Sequence, residues 1–195
     1  MYILVACETS GEVRRAFANR GHTVMSVDLL PADDGCPHIT THGAGTMGHI
    51  VGDVREYLQR GVFDMVIAFP PCTHLASSGA RWFKEKIADG RQKEGVDFFF
   101  DCVMAQAPKV CVENPVGVMS TIHRKPDQII QPWQFGHGET KATCLWLTGL
   151  PKLEPTHIVE GREQRVWRMP PGPNRWKERS KTYSGIAQAM AAQWG

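Results

Sequence analysis

The chain has 195 residues, with 22 Lys and Arg against 20 Asp and Glu, a formal net charge of +2, and 42% hydrophobic residues. That length can bury one good core and favours a single domain; the near-balanced charge implies no polyanion partner by itself, and no apolar run approaches the length of a membrane span. The start, MYILVACETSG, is too short for a secretory signal and has no basic n-region, so a soluble, cytoplasmic protein is expected.

In chain order, YILVAC (2–7) reads as a strand and GEVRRAFANRG (11–21) as a helix that ends at Gly21. TVMSVDLL (23–30) is a second strand, ending near Asp28, and PADDGCPHITTHGAGTMG (31–48) reads as a long loop. HIVGDV (49–54) leads into a short third strand, followed by a helical REYLQRG. FDMVIAF (63–69) is an apolar run of the kind that makes a central parallel strand. Pro70 and Pro71 stop it, because each lacks an N–H and has its φ fixed, and Cys72 is left on a stiff loop at its carboxyl end. KEGVDFFFDCVMAQA (93–107) places Val96, Phe99, Phe100, Val103 and Met104 on one helical face. KVCVEN (109–114) and ATCLWLTG (142–149) are the fifth and sixth strands. Strands and helices alternating at this spacing predict an α/β, doubly wound sheet with right-handed crossovers. The 6 cysteines show no CxxC spacing; Cys7, Cys102, Cys111 and Cys144 lie in apolar runs and read as small buried hydrophobes.

The tail differs. Between Gly161 and Lys181, the cations Arg162, Arg165, Arg168, Arg175, Lys177, Arg179 and Lys181 face only Glu163 and Glu178, with Trp167 and Trp176 interleaved and Pro170, Pro171 and Pro173 breaking the run. Two readings stand side by side. One is a solvated, irregular strap over an edge of the sheet. The other is a nucleic-acid surface, with cations on phosphates and rings stacked on bases, to which Arg165, Arg168, Arg175 and Trp176 would contribute.

The carboxyl ends of parallel strands converge on one rim, where ligands bind in open α/β sheets. Here they carry Glu8-Thr9-Ser10-Gly11, Asp28, Gly52-Asp53, Pro70-Pro71-Cys72 and Glu113-Asn114-Pro115. An acid after the second strand suits a ribose diol. A cysteine facing a glutamate suggests covalent attack assisted by a proton donor or anchor. Each has a plainer counterpart, since an acid at a strand end often only caps a helix and ENP often only makes a turn.

PPC at 70–72 and ENP at 113–115 resemble the two catalytic signatures of DNA cytosine methyltransferases acting at ring carbon 5. That family's acid after the second strand and its GD pair are similar to Asp28 and Gly52-Asp53. Its late polar motif is echoed by FGHGETKATCLWL (135–147) and its last helix by YSGIAQAMAAQWG (183–195), and the overall pattern is similar to short, phage-type members. The resemblance implies a Rossmann-like sheet of the S-adenosylmethionine-dependent type in one domain over 1–195, with a basic irregular segment at 150–182 and a C-terminal helix at 183–195. It implies methyl transfer from S-adenosylmethionine to carbon 5 of cytosine in DNA, in a host cytoplasm if the protein is phage-encoded. Cys72 would add to carbon 6 as a thiolate, and Glu113 would hold ring nitrogen 3 and the exocyclic amine. Glu8, Thr9, Ser10, Gly11, Asp28, Asp53 and Pro70 would serve the cofactor. Asn114 and Lys141 would touch the substrate, with Glu139 and His137 as further candidates from the late motif, although such a lone histidine is more often structural.

Two departures matter. The first loop is ACETSG where the family has an aromatic, glycine-rich turn, although a Ser-Gly turn into a helix N-terminus can still hold a carboxylate. Only residues 150–182 stand where the family carries a large target-recognition segment. Sequence specificity is therefore low, or lies in the basic tail, or belongs to a partner protein. The alternatives are a free pyrimidine nucleotide such as dCMP as substrate, or a non-catalytic DNA- or protein-binding module of the same fold. Metal binding by Cys36, His38, His42 and His49 does not follow a standard zinc spacing, and no metal is expected.

Overall fold

The structure is a computed structural model and describes residues 1–173 and 175–195. Eight strands form one sheet: β1 (Tyr2–Ala6), β2 (Thr23–Asp28), β3 (Thr40–His42), β4 (Gly45–Val51), β5 (Met65–Ala68), β6 (Lys109–Pro115), β7 (Gln128–Ile130) and β8 (Thr143–Thr148), in the spatial order β3-β4-β2-β1-β5-β6-β8-β7. The five strands from β4 to β6 in that order run parallel, and β3, β8 and β7 pair antiparallel. From β1 the chain winds outward through β2 to β4, then returns to the other side of β1 with β5 and β6. The order therefore reverses between β1 and β5, and their carboxyl ends open a crevice.

The helices are α1 (Glu12–Ala18), α2 (Arg55–Leu58), α3 (Phe83–Ala88), α4 (Arg91–Val103), α5 (Met119–Ile122), α6 (Arg165–Arg168), α7 (Arg175–Ser180) and α8 (Ser184–Trp194). Alternation along β1 sends Ile3 and Val5 to one face and Leu4 and Ala6 to the other. On the first face they pack with Val13 and Phe17 of α1 and with Met190 and Trp194 of α8. On the second they pack with Leu58 of α2 and Phe99 and Cys102 of α4. Helices on both faces make the middle strands apolar throughout, which is why they read as continuous runs. Among the described residues no helix is long and apolar enough to cross a membrane.

Several expectations change. The stretch 31–48 is not all loop, because it contains β3 and the first half of β4. A Cβ at Gly45 would collide with backbone of His22 and Ala18, and one at Gly48 with the carbonyl of His38. Those glycines permit the close approach that lets this polar stretch pair with β2. Met104 lies past the end of α4 and is exposed rather than on its buried face. Of the four cysteines expected in the core, Cys102, Cys111 and Cys144 are buried, but Cys7 is only half-buried. The segment 150–182 is not wholly irregular: α6 and α7 form within it.

Candidate active site

A cleft of about 750 Å³ opens over the carboxyl ends of β1, β2, β5 and β6. Its walls include Glu8, Thr9, Ser10, Asp28, Pro70, Cys72 and Glu113, and its roof is the tail, with Arg175, Trp176, Lys177, Arg179 and Lys181 facing in. Pockets of this size take ligands up to drug-sized molecules.

The first loop leaves β1 through a sharp turn. Cys7 has φ 60°, a left-handed conformation unusual for a residue with a side chain, and its N–H bonds the Val27 carbonyl at 2.8 Å. That turn sends Glu8 back beneath α1, where its carboxylate accepts the N–H groups of Val13 (2.8 Å) and Arg14 (3.4 Å) and the Ser10 hydroxyl (3.2 Å). Burial still pushes the Glu8 carboxyl up, because it outweighs those bonds and the charge of Arg14. The helix start expected to receive a ligand carboxylate is thus capped by the protein's own. Gly11 is away from the cleft wall. Its φ of 70° and the crowding of a Cβ there by the guanidinium ends of Arg14 and Arg15 and by Asp34 explain the glycine.

Asp28 ends β2 and faces the cleft; its Oδ1 accepts the Leu30 N–H at 2.9 Å, and burial pushes the carboxyl up. The loop that follows is fixed to the body by Arg14, whose side chain is fully buried. Its guanidinium donates to both oxygens of Asp34 at 2.7 and 2.9 Å and to Ser26, which also bonds His49 Nδ1 at 2.8 Å. His49 Nε2 meets the Leu30 carbonyl at 2.9 Å. Asp53 takes no part in the cleft wall. It accepts the Arg55 N–H at 2.9 Å and pairs with the Arg55 guanidinium at 3.3 Å, at the entry to α2. Among the described residues no group of three His, Cys, Asp or Glu side chains comes together to hold a metal.

At the other end of the cleft, the pairing of Ala68 with Val112 brings the Pro-Pro-Cys loop beside the end of β6. The Cys72 carbonyl accepts the N–H groups of Leu75 (3.0 Å) and Ala76 (2.9 Å), which closes a turn behind the sulfur. Burial pushes the Cys72 thiol up, Glu113 raises it further, and Lys141 and Arg179 oppose them. Burial likewise pushes the Glu113 carboxyl up against the opposing charge of Lys141. Asn114, expected to touch substrate, is buried and points backward: its amide donates to the Pro70 carbonyl at 2.8 Å. It holds the loop that holds the cysteine.

The late motif divides in the same way. Lys141 is on the wall, its Nζ donating to the Lys181 carbonyl at 3.2 Å. Glu139 is gripped by Arg165 Nε, 2.9 Å from both oxygens, and accepts the Tyr183 hydroxyl at 2.6 Å. His137 Nε2 accepts the Gly185 N–H at 3.0 Å at the start of α8, a structural role. Arg175 and Trp176 line the cleft, whereas Arg165 is outside it and Arg168 is exposed on α6. The tail is neither a strap on a sheet edge nor an open surface; it spans the cleft. Lys177 reaches Asp33 at 2.6 Å and Lys181 reaches Glu12 at 3.3 Å. Sequence reading did not place Cys7, Asp33, Lys177, Arg179 or Lys181 among the site residues, yet all of them face the cleft. Only the density of cations in the tail hinted at the last three.

No family model matches the chain, and no curated protein matches it. Among solved structures, one similar chain is provisionally described as a DNA modification methyltransferase encoded within a prophage (E. coli). It shares 14% identity with a TM-score of 0.55, over 82% of this chain and 52% of that one, so this chain spans about half the neighbour's length. The doubly wound, Rossmann-like sheet is shared. At that identity the likeness concerns the fold.

Proposed function

We propose that the protein transfers a methyl group from S-adenosylmethionine to carbon 5 of a cytosine in DNA, with Cys72 as nucleophile. The observation that carries this reading is that Asp28 at the end of β2, Cys72 on the loop after β5 and Glu113 near the end of β6 face one cleft at the switch point of the sheet. The donor set fits an adenosyl cofactor at the β1–β2 end. Asp28 offers a carboxylate to ribose hydroxyls, Thr9 and Ser10 line the approach, and Pro70 marks the border with the reacting end. S-adenosylmethionine, when bound, supplies an electrophilic methyl. The neighbour's description as a DNA modification methyltransferase supports the substrate class.

The chain's residues do the rest. Cys72, after losing its proton, forms a bond from sulfur to carbon 6, and the electrons of the 5,6 double bond collect at carbon 5. Glu113, whose carboxyl is pushed up by burial, donates a hydrogen bond to ring nitrogen 3 and takes up charge that moves onto the ring. Carbon 5 would gain the methyl as the donor's sulfur–methyl bond breaks to leave a neutral thioether, and would give its proton to water; the bond from Cys72 sulfur to carbon 6 then breaks, the double bond reforms and the thiolate is restored. A base stacked in a duplex cannot reach this floor, so it is flipped out or single-stranded.

A second reading, a free pyrimidine nucleotide, draws support from the tail. Arg165, Lys177 and Lys181 pair with the chain's own Glu139, Asp33 and Glu12, which leaves fewer cations for a polynucleotide. Labelled methyl transfer to a cytosine-containing oligonucleotide and to dCMP separates the two. Transfer to the oligonucleotide that vanishes in Cys72→Ser, with the fold and donor binding intact, is the expected result. Wild-type turnover by the serine variant would sink the covalent mechanism.

A further inference from the structure

We propose that Arg179, carried across the cleft by α7, is a positioning residue whose charge readies the Cys72 sulfur, so that the basic tail is part of the active site. This builds on the reading of Cys72 as the nucleophile and adds a role for the tail that the sequence motifs do not contain.

The geometry is specific. Arg175 and Arg179 are four residues apart, one turn of helix, and both are on the side of α7 that faces the cleft. Trp176, Lys177 and Ser180 line the cleft as well, whereas Glu178 is exposed and off its wall. α7 is held in that orientation at its middle and just past its last residue: Lys177 by Asp33 on the loop after β2, and Lys181 by Glu12 at the start of α1, while the Lys181 carbonyl takes the Lys141 ammonium. Arg175 is also committed, with Nε on the Met169 carbonyl at 2.8 Å. Arg179 differs: among the described residues it has no ion-pair or hydrogen-bond partner of its own, yet it is half-buried in the cleft with Cys72 and Glu113. A guanidinium cannot shed its proton there. Its field therefore acts on whatever charge the cleft can develop, and the charge that the reaction demands is the thiolate.

The need for such a cation follows from the rest of the site. Burial and Glu113 both hold Cys72 in its thiol form, and Lys141 is shared between opposing Glu113 and bonding Lys181. Arg179 is the second cation that acts on the sulfur. Among the described residues, two ion pairs, of Lys177 and Lys181, fix the place of α7 over the cleft and so the place of that charge.

The test needs neither donor nor DNA, so its failure is separable from failure of the methyltransferase reading. The full-length protein is alkylated with iodoacetamide from pH 6.5 to 10.5, and modification of Cys72 is followed by mass spectrometry of its peptide. The midpoint of the rate profile is used, because it is insensitive to changes in access. Arg179→Ala should move that midpoint up by about half to one pH unit, and Arg179→Lys should restore most of it. An unmoved midpoint in Arg179→Ala, or a lysine variant displaced as far as the alanine variant, overturns the proposal. Should Arg179→Ala not fold, the neutral and longer Arg179→Gln takes its place, and a glutamine midpoint equal to wild type overturns the proposal.

Discussion

On the floor of the cleft, Glu8, Asp28 and Glu113 are buried faster than they are compensated, and the carboxyl of each is pushed up. Around the cleft, Asp34 and Glu139 show the opposite. Burial would raise them too, but the charge of Arg14 on Asp34, and the bonds of Arg165 and Tyr183 to Glu139, hold both below the usual carboxylate range. The two sets belong to the same rim and differ in depth as well as in what faces them. Acids used as ties have been given cations by the fold. Acids at the proposed site have been left with spare demand for protons or donors, which is what a ligand's hydroxyls and ring nitrogens supply.

The difference can be broken most forcefully at Asp34. Its partner Arg14 has a fully buried side chain, whereas that of Asp34 is 24% exposed, so Asp34→Ala strands a guanidinium that has no route to water. Removing one partner of a buried pair costs about 3–5 kcal/mol. Urea unfolding should show a loss of that order, and the loop carrying Asp33 should become protease-sensitive. A cost below about 1 kcal/mol would mean that Arg14 finds other acceptors, and that Asp34 is no more a tie than Asp28.

How much of this was legible in the sequence depended on distance along the chain. The parallel strands were visible because they are buried on both faces and so are apolar at every position; Met65–Ala68 is such a run. β3 and the start of β4 were not, because Thr-Thr-His and Gly-Thr-Met-Gly carry no period, and what makes them strands is room that only glycine leaves against His22 and His38. Cys72 and Glu113 were singled out by the short motifs that contain them, and both line the cleft. Asn114 was singled out with them as a substrate contact, but its side chain is buried. Its partner is the Pro70 carbonyl, 44 residues back, and no local pattern encodes that bond. The path of the tail was illegible for the same reason: Lys181, Lys177 and Arg165 meet Glu12, Asp33 and Glu139, all far away in sequence.

Asn114 offers the next largest effect. Asn114→Ala leaves the Pro70 carbonyl without its buried donor, at a cost of about 1–3 kcal/mol. If the amide only stabilises, turnover per folded molecule stays constant. If it holds Cys72 in place, turnover falls while donor binding, measured by calorimetry with S-adenosylhomocysteine, is unchanged. We expect the second outcome, and equal losses in both would return Asn114 to the substrate-binding role that its motif suggested.

The smallest effect has the most informative sign. Glu113 has its folded pKa raised, so the folded state holds that proton more tightly than the unfolded state does. Its contribution to stability is present below the ordinary value of 4.5 and is lost as pH rises through the raised folded value. Glu113→Gln removes this loss, so the variant should gain stability relative to wild type above that window and show no such gain below it. Glu139 has its folded pKa lowered, so its contribution is present above 4.5 and disappears as pH falls through the folded value. Glu139→Gln should therefore be less stable than wild type at neutral pH, with the difference narrowing in acid. Thermal unfolding of both variants and wild type between pH 3 and 8 would give two difference curves of opposite sign. If the Glu113→Gln curve followed that of Glu139→Gln, Glu113 would be a paired structural acid, and the cleft would lack the uncompensated carboxyl that the proposed chemistry uses to hold the ring.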